Sequence, residues 1–153
     1  MNNAADWETP LWQMTGFRLI KLGELVQATT VAAFGSLEIT PRQFHVLAAA
    51  VSLSDPSQKE LSRVLGVDPN VMVGLVDDLE AQGLAQRVRN PQDRRRYIVT
   101  PTDKATRLLE EARAVVAETE RKVFASLSER ERQELHELSG RLLTGNPRVT
   151  KHE

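Results

Sequence analysis

The densest chemistry in this 153-residue sequence is cationic and local. Arg87, Arg89, Arg94, Arg95 and Arg96 stand within ten positions against the single acid Asp93, and Asn90-Pro91-Gln92-Asp93 is rich in turn formers. Guanidinium groups on a turn present donors in a fixed planar fork, which suits phosphate oxygens or entry into a narrow minor groove. Nucleic acid is the partner class such a tip fits. The whole chain offers no comparable attraction, since 20 basic and 21 acidic residues leave a net charge of -1. Affinity for a polyanion must therefore belong to this segment and its neighbours.

Other reactive residue types are missing or poorly spaced. Cysteine is absent, which removes thiol nucleophiles, disulfides, thiolate metal sites and cysteine redox switching. The three histidines, His45, His136 and His152, lie in separate segments without a Ser, Asp or Glu partner at a diagnostic spacing. No HExxH, phosphate-binding glycine loop or nucleophile elbow occurs. The adjacent acids Asp77-Asp78 and Glu110-Glu111 would project about 100° apart from a helix. No catalytic residue, metal site or cofactor is assigned, and the chain reads as a non-enzyme. No apolar run approaches the roughly 18 residues of a membrane span, and no basic-then-apolar leader opens the chain. Together with the lack of cysteine, this fits a cytoplasmic protein.

Capping residues mark out the elements that must hold the arginine tip. Thr40-Pro41-Arg42-Gln43 pairs a capping hydroxyl with proline at the first helical position, and Phe44, Leu47 and Val51 follow at helical spacing. This predicts a helix over 41–52. Ser57-Gln58-Lys59-Glu60 opens a shorter helix with Leu61, Val64 and Leu65 as its apolar stripe and Gly66 as its left-handed stop. Asp68-Pro69 opens a third, running through Val71, Met72, Leu75, Val76 and Leu79 to Gly83. The last two, joined by Gly66-Val67, form a helix-turn-helix candidate. Beyond Gly83 the period drops toward two over 84–89, and Tyr97-Ile98-Val99-Thr100 is rich in β-formers, so the arginines fall at the tip of a hairpin. Helix, helix, hairpin is a winged-helix order.

Long segments flank this unit. Residues 11–35 carry only Arg18, Lys21 and Glu24 as charges, with apolar side chains all round the cylinder. The segment from Thr100-Pro101-Thr102-Asp103 to about Leu127 reads as an amphipathic rod, and Ser128-Glu129-Arg130-Glu131 caps a further helix that Gly145-Asn146-Pro147 ends. The expected fold is mainly α with a small β-hairpin wing (α+β). It is one unit over 1–153, with a winged lobe at 36–100 between helical segments 7–35 and 101–145. These flanks hold more apolar surface than a small winged lobe can cover. Homodimerisation through them is expected, with completion of a monomeric core as the competing use.

Gly66-Val67-Asp68-Pro69-Asn70, Leu75-Val76-Asp77-Asp78-Leu79-Glu80 with Gly83-Leu84, and Asn90-Pro91-Gln92-Asp93-Arg94-Arg95-Arg96 with Thr100-Pro101 closely resemble the MarR family of winged-helix transcriptional regulators. The motif resemblance covers about 40–105. It implies a two-fold homodimer with intertwined terminal helices, recognition helices at about 68–82 in successive major grooves, and wings in the adjacent minor grooves. It further implies Arg94 at the minor groove, an Asp68–Arg95 ion pair supporting the wing, and a pseudo-palindromic operator on double-stranded DNA. Small aromatic or phenolic effectors release DNA in this family, and the layout points to Trp12, Phe17, Arg18 and His45 for that site. Their competing reading is dimer core for the aromatics and a half-buried side chain for His45. The reading favoured is a repressor, rather than an activator, released by such a ligand.

The sequence departs from the family where readout matters. After Pro69 the recognition helix presents Asn70, Val71, Met72, Val73 and Gly74, then Asp77 and Asp78, with no Lys or Arg before Gly83. Arginine-to-guanine readout is excluded there, although Asn70 can bond adenine and Val71 or Val73 can touch a thymine methyl. Phosphate contact would fall to the wing and to Gln58, Lys59, Thr40 and Arg42 at helix starts. The missing cations leave an alternative: a winged-helix dimer that docks proteins and binds DNA weakly or without specificity.

Overall fold

The structure, a computed structural model, describes residues 9–145; position 7, Asn146, Pro147 and His152 lie outside them. Helix α1 (Thr15–Ala33) passes through one 3-10 turn (Phe34–Ser36) into α2 (Pro41–Ser52), α3 (Gln58–Leu65) and α4 (Pro69–Ala81). An antiparallel hairpin of β1 (Ala85–Arg89) and β2 (Tyr97–Pro101) follows, then α5 (Asp103–Val123) and α6 (Glu129–Thr144). This is the mainly α winged helix-turn-helix expected from the sequence. Among the described residues no helix is long and apolar enough to cross a membrane.

Local chemistry sets most boundaries. Thr40 with Gln43, Ser57 with Glu60 and Ser128 with Glu131 form complete capping boxes. The Asp68 carboxylate accepts from the Asn70 N–H at 2.8 Å and the Val71 N–H at 3.4 Å. Each such cap satisfies amide donors that the helix leaves orphaned, worth about 1 kcal/mol. Gly83, at φ 68°, ends α4 in the left-handed region that glycine adopts without steric cost. There the Leu84 N–H donates to the Leu79 carbonyl at 2.8 Å and the Gly83 N–H to the Glu80 carbonyl at 2.9 Å, a Schellman closure.

Two expected boundaries move. The rod expected from about 100 is α5 alone, because Thr100 and Pro101 complete β2 and Thr102 caps the helix. The first helix starts at Thr15, because the Trp12 and Gln13 amides donate to the Thr9 and Pro10 carbonyls in a preceding turn.

The core joins the lobe to α5. Val46 and Leu47 of α2, Leu61 of α3, Met72, Val76 and Leu79 of α4, Leu84, Val99, and Leu109 and Ala112 of α5 are buried in one cluster. The hairpin register sets Ala85 opposite Pro101 and Arg89 opposite Tyr97. The Val99 N–H also donates to the Pro56 carbonyl at 2.9 Å, fastening β2 to the start of α3. Thr102 binds the end of α4 twice, its N–H to the Leu84 carbonyl at 3.0 Å and its hydroxyl to the Gly83 carbonyl at 2.8 Å. By contrast, α1 and α6 bury no residue, although α1 packs along α5. Leu19, Ile20, Leu25 and Val31 of α1 and Leu138, Leu142 and Leu143 of α6 are exposed.

Truncating Leu47, fully shielded in this cluster, to alanine should cost about 2–5 kcal/mol in urea unfolding at fixed protein concentration. Ser62→Ala should leave stability unchanged or raise it, because the buried Ser62 hydroxyl has no hydrogen-bond partner to lose.

Candidate nucleic-acid interface

The hairpin turn is fixed by its own side chains. The Asn90 side-chain oxygen accepts from the Gln92 N–H at 2.8 Å and the Asp93 N–H at 3.3 Å, and the Asp93 carboxylate accepts from the Arg95 N–H at 3.1 Å. The one acid of the tip is thereby spent on turn geometry. Arg94 and Arg95 are exposed and, among the described residues, form no ion pair. Arg89 lies over the Tyr97 ring at 5.6 Å, a cation–π contact that the cross-strand register creates. Arg96 pairs with Glu60 at 3.1 Å, tying the wing to the first turn of α3.

Three expected roles change. Asp68 and Arg95 form no ion pair in this structure: the Asp68 carboxylate caps α4, and the acid-to-wing link is Glu60–Arg96 instead. Arg87, expected at phosphate, is turned inward with its side chain 22% exposed. Its guanidinium pairs with Asp77 at 2.7 Å and with Glu80, and it donates to Gln58 Oε1 at 2.5 Å and to the Val73 carbonyl at 3.4 Å. Gln58, likewise expected at phosphate, is occupied by this bond. Glu80 also accepts the Arg87 N–H at 2.7 Å, so one carboxylate holds both the backbone and the side chain of the first wing strand. Nothing local in the sequence announces these partners, because they come from two other elements, α3 and α4.

On α4, Met72, Val76 and Leu79 face the core, leaving Pro69, Asn70, Val71, Val73, Gly74 and Asp77 exposed. Val71 and Val73 are 43% and 44% exposed, large apolar groups held in water without a partner. Lys59 is exposed beside the capped start of α3. This face carries the chemistry for backbone phosphate contact at its edges and for adenine and thymine-methyl contact at its centre.

A cleft of 1320 Å³ opens on another side, between α1, α2, α4, α5 and α6, with Leu22, Val26, Phe44, Leu75, Phe124 and Leu142 in its lining. Thr40, Arg42, His45 and Asp78 supply polar groups to it. Partial burial pushes the His45 pKa below its ordinary value, so the ring is neutral at pH 7. Of the four residues expected around a ligand, only His45 lines this cleft. Trp12 and Phe17 pack edge to face with centroids 4.9 Å apart, Lys21 lies over Phe17 at 5.6 Å, and Arg18 donates to the Trp12 carbonyl. They form a separate cluster at the start of α1, because the cleft-facing stripe of that helix begins at Leu19.

Helix-turn-helix, arginine-tipped hairpin and long terminal helices define a winged-helix regulator. Residues 37–96 match the MarR family. A probable transcriptional regulator from Pseudomonas aeruginosa is 30% identical, with 86% of this chain and 98% of that one covered at a TM-score of 0.75. CouR from Rhodococcus jostii RHA1 bound to p-coumaroyl-CoA is 26% identical, covering 88% of this chain and 95% of that one at a TM-score of 0.78. The transcriptional repressor CouR bound to a 23-mer DNA duplex is 28% identical, covering 86% and 94% at a TM-score of 0.80. The chain belongs to the MarR family of transcriptional regulators.

Glu60 offers a test of the wing's anchorage. Hydrogen bonds from the Ser57 side chain and backbone, and then the Arg96 charge, hold its pKa below the ordinary value. A folded-state pKa below the unfolded one stabilises fully at neutral pH, and that contribution is lost as pH falls through the depressed value. Ser57→Ala should return the Glu60 midpoint toward the ordinary range in an NMR titration; an unmoved midpoint would mean the cap does not set it.

Proposed function

We propose that this chain is a homodimeric, sequence-specific repressor that binds double-stranded DNA and is released by a small aromatic or phenolic ligand. The observation that carries the reading is Arg94 and Arg95, exposed and without an ion pair among the described residues, on a hairpin that directly follows a helix with an exposed, cation-free face. The wing supplies phosphate and minor-groove contact, while Asn70, Val71 and Val73 read bases. Lys59 adds phosphate contact at the start of α3. The duplex-bound state of CouR supports this assignment. The alternative, a protein-docking module, rests on the missing cations of the acid-bearing α4. Asp77 is paired with Arg87 and Asp78 lies in the cleft lining, and the exposed wing arginines supply the cations that α4 lacks, which favours the DNA reading over that alternative.

The terminal segments, 7–35 and 101–145, form the dimer base in this proposal, and 36–100 the reading lobe. Their exposed leucines are the surface a second copy would cover. The cleft supports the same arrangement. Its 1320 Å³ exceeds the roughly 300–1,000 Å³ of small-molecule pockets, and a partner's terminal helices would narrow it. Its apolar lining suits an aromatic ligand, with neutral His45 and Arg42 available to a phenolic or acyl oxygen. The p-coumaroyl-CoA complex of CouR supports that class. The protein would work in the cytoplasm, where its operator lies.

Selection from random duplexes should enrich a palindrome whose half-sites lie about one helical turn apart. Replacing Arg94 and Arg95 by alanine should weaken binding across all sequences and lower the salt slope by about 1 per lost phosphate contact; unchanged affinity would overturn the reading. Sedimentation at micromolar concentration should give twice the 17.1 kDa chain mass, and a 17.1 kDa species alone would exclude the dimer.

A further inference from the structure

We infer that Asp77 and Arg87 act as a charge mask on the reading face of α4, making Arg87 a positioning residue for DNA recognition and not a DNA contact. The inference rests on the DNA-binding reading above. Asp77 shares the exposed face with Asn70, Val73 and Gly74 at helical spacings of seven, four and three residues, and its side chain is 60% exposed. An uncompensated carboxylate there would meet the phosphate backbone with like charge. The sequence puts no Lys or Arg on α4 to offset it.

The offset comes from the first wing strand. The Arg87 guanidinium reaches Asp77 Oδ1 at 2.7 Å while its other N–H groups are taken by Glu80, Gln58 Oε1 and the Val73 carbonyl. With four of its five N–H groups engaged and the side chain largely covered, Arg87 has no two-pronged fork left for phosphate. Its single charge is shared between Asp77 and Glu80 and offsets part of the Asp77 charge from behind, and its geometry locks α4, α3 and β1 into one rigid reading head. The face shown to DNA is then less acidic at its centre and cationic at its rim.

A rival use of the same residue makes the inference testable. An exposed Asp can accept from the cytosine amino group in the major groove, which would make Asp77 a direct reader. The experiment compares wild type, D77N, R87Q and the R87Q/D77N double variant by selection from random duplexes, by affinity against salt and by thermal unfolding. D77N should select the wild-type palindrome with equal or tighter affinity. R87Q, which leaves Asp77 unmasked, should bind about tenfold or more weakly, and adding D77N should recover most of that loss at the wild-type salt slope.

An altered base preference in D77N would overturn the inference in favour of direct readout. A double variant as weak as R87Q, with the salt slope reduced by about 1, would make Arg87 a phosphate contact and overturn it equally. Should R87Q fail to fold, the D77N palindrome and affinity decide alone. Absence of duplex binding by wild type would overturn the DNA reading itself, and this inference with it.

Discussion

The Arg87 guanidinium is the joint on which the reading head depends. One side chain satisfies acids on α4, an amide on α3 and a carbonyl inside α4, while its own backbone is held by Glu80. Taking such a cation largely out of water is costly unless its donors find partners, and here the partners come from α3 and α4. The recognition helix and the wing therefore cannot be displaced independently without stranding a charge. The hydrophobic cluster beneath supplies cohesion, but it is non-directional. Directional bonds fix how the hairpin is aimed.

Charge is distributed over the lobe by this arrangement. Five acids around the reading face are engaged within the lobe: Asp93 in the turn, Glu60 in a helix cap and with Arg96, Glu80 and Asp77 with Arg87, Asp68 with the α4 amides. What is left outward is cationic at the wing tip. A chain of net charge -1 thus presents a local field of opposite sign to its total, the condition for attraction that acts at short range and fades within about 10 Å at 0.1 M salt.

The elements that were legible in the sequence owe it to chemistry within a few residues. Thr40-Pro41, Ser57 with Glu60, Asp68-Pro69 and Ser128 with Glu131 each announce a helix start, because a cap needs only a hydroxyl or carboxylate and an amide nearby. Gly83 and the change of period after it likewise gave the hairpin. Side-chain destinations were far less legible. Arg87 and Gln58 look like surface groups until three elements are assembled, and an Asp68–Arg95 pair was as plausible by type as the observed Glu60–Arg96. The placement of Trp12, Phe17, Arg18 and His45 was equally hard to read: helix phase separates Phe17 and Arg18 from the stripe that reaches the cleft with His45. Tyr97 was recoverable, since the hairpin register alone sets it opposite Arg89.

Thr102 turns the end of the lobe and the start of α5 into one body, because its amide and hydroxyl both grip the α4 terminus. Helix α5 is 21 residues long, roughly 30 Å at 1.5 Å per residue. It works as a lever arm welded to the reading head at its short end. A tilt of about 4° applied at the far end of such an arm sweeps about 2 Å. Since no pliable segment intervenes at Thr102, that angle is delivered to the lobe undamped. A tilt of the far end of α5 is thereby passed, through Thr102 and the buried Leu109 and Ala112, to the recognition helix of the same chain.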